Sequence, residues 1–354
     1  MESRVSLLEV AKIVGVSPAT VSRVISGHPQ VSTRTAEAVR RTMKEINFVP
    51  SPRRKKNRPV VKAERISLMV FERPGTSTAP SLAGFLNGMS SAATKHAVRF
   101  DVTFLGTDRN TSSELADGRL DGVLLYGDTP HDRVRARLKD LPVVWLTTGR
   151  DYPHWGDQVL PDDNRIGELA ASYLLDRGHK ELAYVGVHPS HGGLNVRGLA
   201  FEHAVQQGDG KVQRLLGRSD CPDFSQIEGV AETARNLMRE FVGIHRRPSG
   251  LFVGDGRLLS PLRHEFDRAG VSLGPGAEVE VIACNDGLAY WSRLHPTLPH
   301  IDVRAESIGY RSVEQLCWRI RHTKSNERVR VLIEPTLTVE RRPDQNRSDT
   351  FHQS

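Results

Sequence analysis

VSLLEVAKIVGVSPATVSRVISGHPQ, residues 5–30, decides how the rest of the chain is read. It divides into two short helices around a tight turn. Leu7, Leu8, Val10, Ala11 and Val14 recur at helical spacing and form an apolar face. Gly15 can end that helix in a left-handed conformation without Cβ strain. Ser17 stands where a helix N-cap belongs, and Pro18 at the first helical position, where its missing N–H costs nothing. The second helix is expected from Pro18 to Ile25, with Val21, Val24 and Ile25 inward. Its outer face then carries Pro18, Ala19, Ser22 and Arg23. Spacing alone would fit any helical hairpin in a helical domain. The small, polar outer face with one arginine tips the reading toward a helix-turn-helix that enters a DNA major groove.

A third helix follows. Ser32 or Thr33 caps TRTAEAVRRTMKEI (33–46), which places Ala36, Val39, Met43 and Ile46 inward at steps of three and four. Phe48 packs under the bundle. Next comes SPRRKKNRPVVKA (51–63), a basic linker with Pro52 and Pro59 bracketing Arg53, Arg54, Lys55, Lys56 and Arg58. Residues 1–62 hold 13 Lys and Arg against 4 Asp and Glu, a net of +9, whereas the whole chain is +7. The remaining residues therefore carry −2. A basic module on a near-neutral body points to phosphate binding.

The 354 residues suffice for two or three domains with sizeable cores. No apolar run is long enough to span a membrane, and MESRVSLLEVAK has no apolar stretch of the kind a signal peptide needs. Cys221, Cys284 and Cys317 are odd in number and far apart, which reads as inert thiols in a reducing cytoplasm. From Glu64 the chain alternates short apolar strands with amphipathic helices. Examples are ISLMVF (66–71), the helical 82–96, VRFDVTFLG (98–106) and LPVVWLTTG (141–149). The second half repeats the scheme, with SGLFVGD (249–255) and VEVIACND (279–286) as strands. Strand, helix, strand at these lengths implies right-handed crossovers and parallel sheets covered on both faces. Two successive half-bodies suggest a clamp, with ligand between the carboxyl ends of the two sheets.

Residues 5–50 resemble the DNA-binding head of the lactose-repressor/galactose-repressor (LacI/GalR) family of bacterial transcription regulators. The matching elements are V-S-L-L-E-V-A, the G-V-S turn, A-T-V-S-R-V, the V-S-T-R-T entry to the third helix and the F-V-P exit. The body is similar to that family's effector domain, most clearly in DDNRIGELAASYLLDRGHKELAYVG (162–186) and IEPTLTVERRP (333–343). The resemblance implies an all-α helix-turn-helix head joined to a two-lobed α/β periplasmic-binding-protein-like body with parallel sheets. The expected division is 1–50 head, 51–63 linker, 64–343 effector-binding and dimerisation domain, and 344–354 a disordered tail. Within the body, the first lobe is expected at 64–162 and 298–322, the second at 163–297 and 323–343.

The resemblance implies a regulator, most simply a repressor, that binds a palindromic operator as a homodimer in the cytoplasm. Assembly into tetramers stays open. Pro18, Ala19, Ser22 and Arg23 would face base edges. Ser17, Thr20, Arg53, Arg54, Lys55 and Lys56 would hold phosphates. One departure concerns the linker. The family's hinge helix uses Ala and Leu to wedge a base step, and the matching positions here are Arg54 and Asn57. The implied effector is a sugar or sugar derivative. Arg197 matches the arginine that precedes a helix and clamps ligand hydroxyls or carboxylates. Gly254-Asp255 stands where the family has Asn-Asp, and Asn285-Asp286 where it has paired carboxylates. Tyr126, Trp155 and Trp291 offer faces for stacking, although an aromatic near a strand end is more often core.

No catalytic motif, cofactor or metal is expected. Gly208-Asp209-Gly210-Lys211 and Gly254-Asp255-Gly256 lack the spacing of phosphate-binding loops, and His188 and His191 have no third ligand at helical spacing. Two competing readings remain at this level. One is a sugar-binding receptor without a DNA role. The other is an α/β enzyme with a fused head.

Overall fold

The computed structural model describes residues 7–25, 31–46, 48, 64–71, 81–105, 120–127, 130, 132–147, 155–186, 192–217, 227–285 and 298–339. The chain divides into two compact units, Met1–Lys62 and Ala63–Ser354.

In the first unit, α1 (Leu7–Val14), α2 (Pro18–Ile25) and α3 (Thr33–Glu45) surround a small core. Val10, Ala11, Val21, Val24 and Val39 are buried, with Val16, Met43, Ile46 and Phe48 packed against them. Ser32 caps α3 by accepting the Thr35 N–H at 3.2 Å. Phe48 donates its N–H to Met43 O at 2.8 Å, which turns the chain back under the bundle. Two inward assignments fail. Leu8 is 66% exposed and Ile25 is also exposed. Leu7 and Leu8 are adjacent on a helix, about 100° apart, and only one can share the stripe of Val10 and Ala11.

Among the described residues, the body forms two six-stranded sheets. The first has strands β1 (Arg65–Phe71), β2 (Arg99–Leu105), β3 (Gly122–Gly127), β4 (Val143–Leu146), β5 (Asp157–Pro161) and β11 (Arg330–Ile333). Their order is β11-β5-β4-β3-β1-β2, all parallel. The second has β6 (Glu181–Gly186), β7 (Lys211–Leu216), β8 (Gly250–Val253), β9 (Glu280–Asn285), β10 (His300–Asp302) and β12 (Thr336–Thr338). Its order is β12-β10-β9-β8-β6-β7, with only β12 antiparallel to its neighbour.

Alternate residues of each strand serve opposite faces. Ile66, Leu68 and Val70 pack under α4 (Ser81–His96) and α10 (Ala305–Arg321), while Met69 and Phe71 face α5 (Asp132–Leu138). In the second lobe, Leu182, Tyr184 and Phe252 meet α6 (Asp163–Asp176) and α7 (Gly192–Gln207). Ala183, Val185, Leu251 and Val253 meet α8 (Ile227–Gly243) and α9 (Leu259–Arg268). The helices of the first pair touch through backbone. A Cβ on Gly88 of α4 would lie 1.9 Å from Glu306 O of α10.

The chain passes between lobes three times: from β5 to α6 at Asp162, from β10 to α10 at Val303–Arg304, and from β11 to β12 at Glu334–Pro335. All three crossings leave carboxyl ends of strands, so those ends define the cleft. The expected lobe boundaries need correction at two places. Residues 300–302 add β10 to the second sheet, and 330–333 add β11 to the first. Each is an edge or near-edge strand of three or four residues, too short for its pattern to reveal its sheet. The linker at 51–63 and the tail at 344–354 lie outside the described residues.

Candidate nucleic-acid interface and effector cleft

The turn between α1 and α2 is built by four neighbours. Gly15 adopts φ +73°. Val16 donates its N–H to Ala11 O at 3.0 Å, which pulls the turn onto α1. Ser17 Oγ accepts the Thr20 N–H at 3.1 Å and meets Thr20 Oγ1 at 2.9 Å. Ser17 therefore caps α2, and Pro18 begins it without losing a hydrogen bond. Buried Val21 and Val24 fix the rotation of α2. Pro18, Ala19 and Arg23 are thereby turned outward and exposed, with Ser22 and Thr20 half-buried. The exposed end of α2 carries no acid, and four cations (Arg34, Arg40, Arg41, Lys44) lie along α3. Arg53, Arg54, Lys55, Lys56 and Asn57 lie outside the described residues.

At the carboxyl ends of the second sheet, Asp162 caps α6 by accepting the Arg165 N–H at 3.1 Å. Asp163 follows and is buried. Its Oδ1 receives Arg197 Nε at 2.7 Å. Arg197 Nη1 donates to Gly254 O at 2.8 Å. One arginine thus ties the start of α6 to the end of β8. It lies inside α7, a turn and a half from its start, rather than ahead of the helix as expected. The third local acid, Asp255, is buried and caps a 3-10 turn, Gly256–Leu258. It accepts the Arg257 N–H at 3.0 Å, Arg257 Nε at 3.0 Å and Arg257 Nη2 at 2.6 Å. Beneath this rim Tyr184 donates Oη to Leu194 O at 2.6 Å. Burial pushes its phenol well above the ordinary range, so it stays a donor at any physiological pH.

The rim thus brings Arg197, Asp163, Gly254 and Asp255 together. Asp163 and Arg257 are additions that the sequence does not single out. Asp163 is one of two adjacent acids, and only the fold tells the capping one from the buried one. Tyr126 belongs to the first lobe, at the end of β3, where it is buried with its ring edge-on to Phe85 at 5.4 Å. Trp155 packs against Trp145 at 5.5 Å. Asn285 ends β9, and its side chain lies outside the described residues together with Asp286 and Trp291. Among the described residues, no group of His, Cys, Asp and Glu could hold a metal ion, and no helix is long and apolar enough to cross a membrane.

This pairing of a capped helix-turn-helix with a two-sheet clamp defines a ligand-binding domain fused to a DNA-binding one. Residues 6–51 match the family model for bacterial regulatory proteins of the lacI family. Residues 70–238 match the periplasmic binding proteins and sugar binding domain of the LacI family, and 171–342 a periplasmic binding protein-like domain. The chain belongs to the LacI family of bacterial transcription regulators. It is 25% identical over 347 residues to the HTH-type transcriptional repressor PurR of Pectobacterium carotovorum, covering 95% of this chain and 96% of that protein. It is 32% identical over 192 residues to the HTH-type transcriptional regulator CelR of Thermobifida fusca, covering 51% and 55%. Its fold is similar to that of a transcriptional regulator CelR–cellobiose complex, with TM-score 0.60, 22% identity and coverage of 95% and 99%. The lac repressor dimer bound to operator and the anti-inducer ONPF aligns with TM-score 0.59, 17% identity and coverage of 95% and 98%. These relatives are transcriptional regulators rather than enzymes.

Proposed function

We propose that this chain is a repressor that binds an inverted-repeat operator as a homodimer and is released or engaged by a small carbohydrate-like effector held between its lobes. The observation that carries this reading is the outward face of α2. Ser17 and Pro18 start the helix, and Val21 and Val24 fix its rotation, so Pro18, Ala19 and Arg23 lead it into solvent. Ser22 and Arg23 would read base edges, Pro18 and Ala19 would pack against them, and Ser17, Thr20 and the Arg53–Lys56 run would hold phosphates. One such head reads too few bases for selective binding, and a two-fold pair of heads reads an inverted repeat.

A further support for pairing lies on the body. Edge strand β2 leaves Phe104 60% exposed, with Val102 beside it on the same face. Apolar side chains of this size on an open sheet edge favour coverage by a second copy. The effector would reach Arg197 and neighbouring groups, with Asn285, Asp286 and Tyr126 as further contacts. To act, it must bind one lobe arrangement better than the other.

The test is selection of bound duplexes from a random-sequence pool by the full chain. An inverted repeat enriched over successive rounds is expected. Salt-sensitive binding with no enriched sequence would sink the reading.

A further inference from the structure

The carboxyl ends of both sheets define the cleft, so their amino ends form the two outer ends of the body. The chain enters the body at the outer end of the first sheet. Glu64 immediately precedes β1, and its carboxylate accepts from Arg321 Nε of α10 at 3.3 Å. Its carbonyl accepts the Arg99 N–H at 2.8 Å. The entry is thereby tied to β2 and to the last turn of α10.

That end is lined with cations. Across the sheet, Arg328 and Arg330 stand at the start of β11, Lys324 in the turn that leads to it, Arg321 at the end of α10, Arg65 on β1 and Arg99 on β2. Arg65 and Arg321 are matched, by Asp101 at 3.2 Å and by Glu64. The other four are exposed, and among the described residues no carboxylate pairs with them. Arg328 Nη1 donates to Gly156 O at 3.3 Å and Arg330 Nε to Gln158 Oε1 at 2.8 Å, neutral partners that leave the charge uncompensated. Cations in the last turn of a helix offset its dipole, but these four lie on strands or in the turn between elements, where no such reason holds.

The opposite outer end, at the amino ends of the second sheet, also has cations, but acids answer them. Lys211 and Arg246 share Glu181 at 3.7 and 3.9 Å, and Arg177 pairs with Glu280. The uncompensated row therefore belongs to the end that receives the chain from the basic linker. Six strands leave five gaps of about 4.8 Å, so the row can extend over about 24 Å. Duplex DNA carries one phosphate per strand for about every 3.4 Å, so that width faces about seven phosphates of each strand. We infer that this end of the first lobe is a second DNA-contacting surface, which holds backbone phosphates of double-stranded DNA without reading sequence. This rests on the reading that the chain binds DNA. It adds the body to a contact otherwise carried by the head and the linker.

Filter binding of the full chain to a random-sequence duplex across a salt series tests it. Each phosphate contact contributes about 0.9 to the slope of log K against log salt, so the combined variant Arg99→Gln, Lys324→Gln, Arg328→Gln should lower that slope by about 2.7 per bound copy. The control removes the same charge from the opposite end of the body, through Lys211→Gln, Arg246→Gln and Arg247→Gln, and should lower it by less than about 1. A charge-keeping set, Arg99→Lys, Lys324→Arg and Arg328→Lys, should retain the parent's slope. Equal slopes for the first variant and the control overturn the proposal, because net charge alone then explains the loss. So does a first variant with the parent's slope, or a charge-keeping set that loses as much as the Gln set. A parent with no salt-sensitive binding overturns it together with the regulator reading. Operator enrichment in the selection experiment alongside equal slopes overturns it alone.

Discussion

Gly88→Ala probes the tightest contact in the body. Gly88 lies in α4 where that helix meets α10 backbone to backbone. The added Cβ would lie 1.9 Å from Glu306 O and 2.8 Å from Tyr310 N. A carbon and a carbonyl oxygen need about 3.2 Å, so the helices must part by more than an ångström or twist. Neither group is the flexible end of a side chain, and α4 and α10 together cover Ile66, Leu68 and Val70. Overpacking of this kind costs about 1–3 kcal/mol or more, against a helix-propensity gain near 1 kcal/mol for Ala over Gly. Because the clash falls on backbone, the cost lies at the top of that range or beyond, and a net loss of about 2 kcal/mol is expected. Gly243→Ala in the last turn of α8 is the control, since nothing lies within 4 Å of its added Cβ. It should be neutral or gain up to about 1 kcal/mol. The assay is urea unfolding followed by tryptophan fluorescence. Trp145, Trp155, Trp291 and Trp318 all belong to the body, so the signal omits the head. A Gly88→Ala variant with the parent's midpoint and slope would refute the close approach of the two helices.

Arg23→Ala should weaken binding to a selected operator more than to random duplex, whereas neutralising Arg53–Lys56 should weaken both and flatten the salt dependence; equal losses in a filter-binding titration would end that division of roles. Asp163→Asn leaves the buried Arg197 cation without its carboxylate and should destabilise the body by about 3 kcal/mol in the same urea assay. Glu280, 5% exposed at its side chain, bonds Tyr173 Oη at 2.6 Å and His179 Nε2 at 3.2 Å and pairs with Arg177. Burial works against its charge, but those bonds and the Arg177 charge outweigh burial and hold its carboxyl below the ordinary range. Its contribution is therefore complete above the unfolded carboxyl pKa, about 4.3, and is lost as pH falls toward the folded value. Glu280→Gln should be less stable than the parent at pH 7, with the gap narrowing below about pH 4; a constant gap across that range would contradict the assignment.

The head and the alternation of the body are legible because their signals are local. A cap, a glycine turn and a three-four spacing sit within a few residues of what they control. Four body elements do not announce themselves. In β5 the apolar run is interrupted by Asp157 and Gln158, both buried. Asp157 is tolerated there because Arg319 Nη2 at 2.6 Å and Gln315 Nε2 at 2.7 Å reach it from α10. The partner lies more than 150 residues away, so nothing near Asp157 marks a strand. The buried face of α10 is muted by Gly309, Ser312 and Cys317, and Gly309 has no room for a side chain because a Cβ there would lie 2.1 Å from Phe85 O of α4. β7 is an edge strand with mixed exposure, and β10 has three residues. The Arg197 part of the rim is hidden for the same reason, the Asp255–Arg257 pair being local. Arg197 meets Asp163 across 34 residues and Gly254 across 57, and Asp255 is engaged by a neighbour two residues on.

The last two strands, β11 and β12, begin six residues apart and finish different sheets. A ribosome delivers the head well before these strands. Until residue 333 has emerged the first sheet lacks β11 and β5 is an open edge; until residue 338 has emerged the second lacks β12 and β10 is one. A chain stopped before residue 330 would retain residues 1–62 while losing the outer strand of both lobes. The exposed edges of such a chain would invite pairing with other unfinished chains.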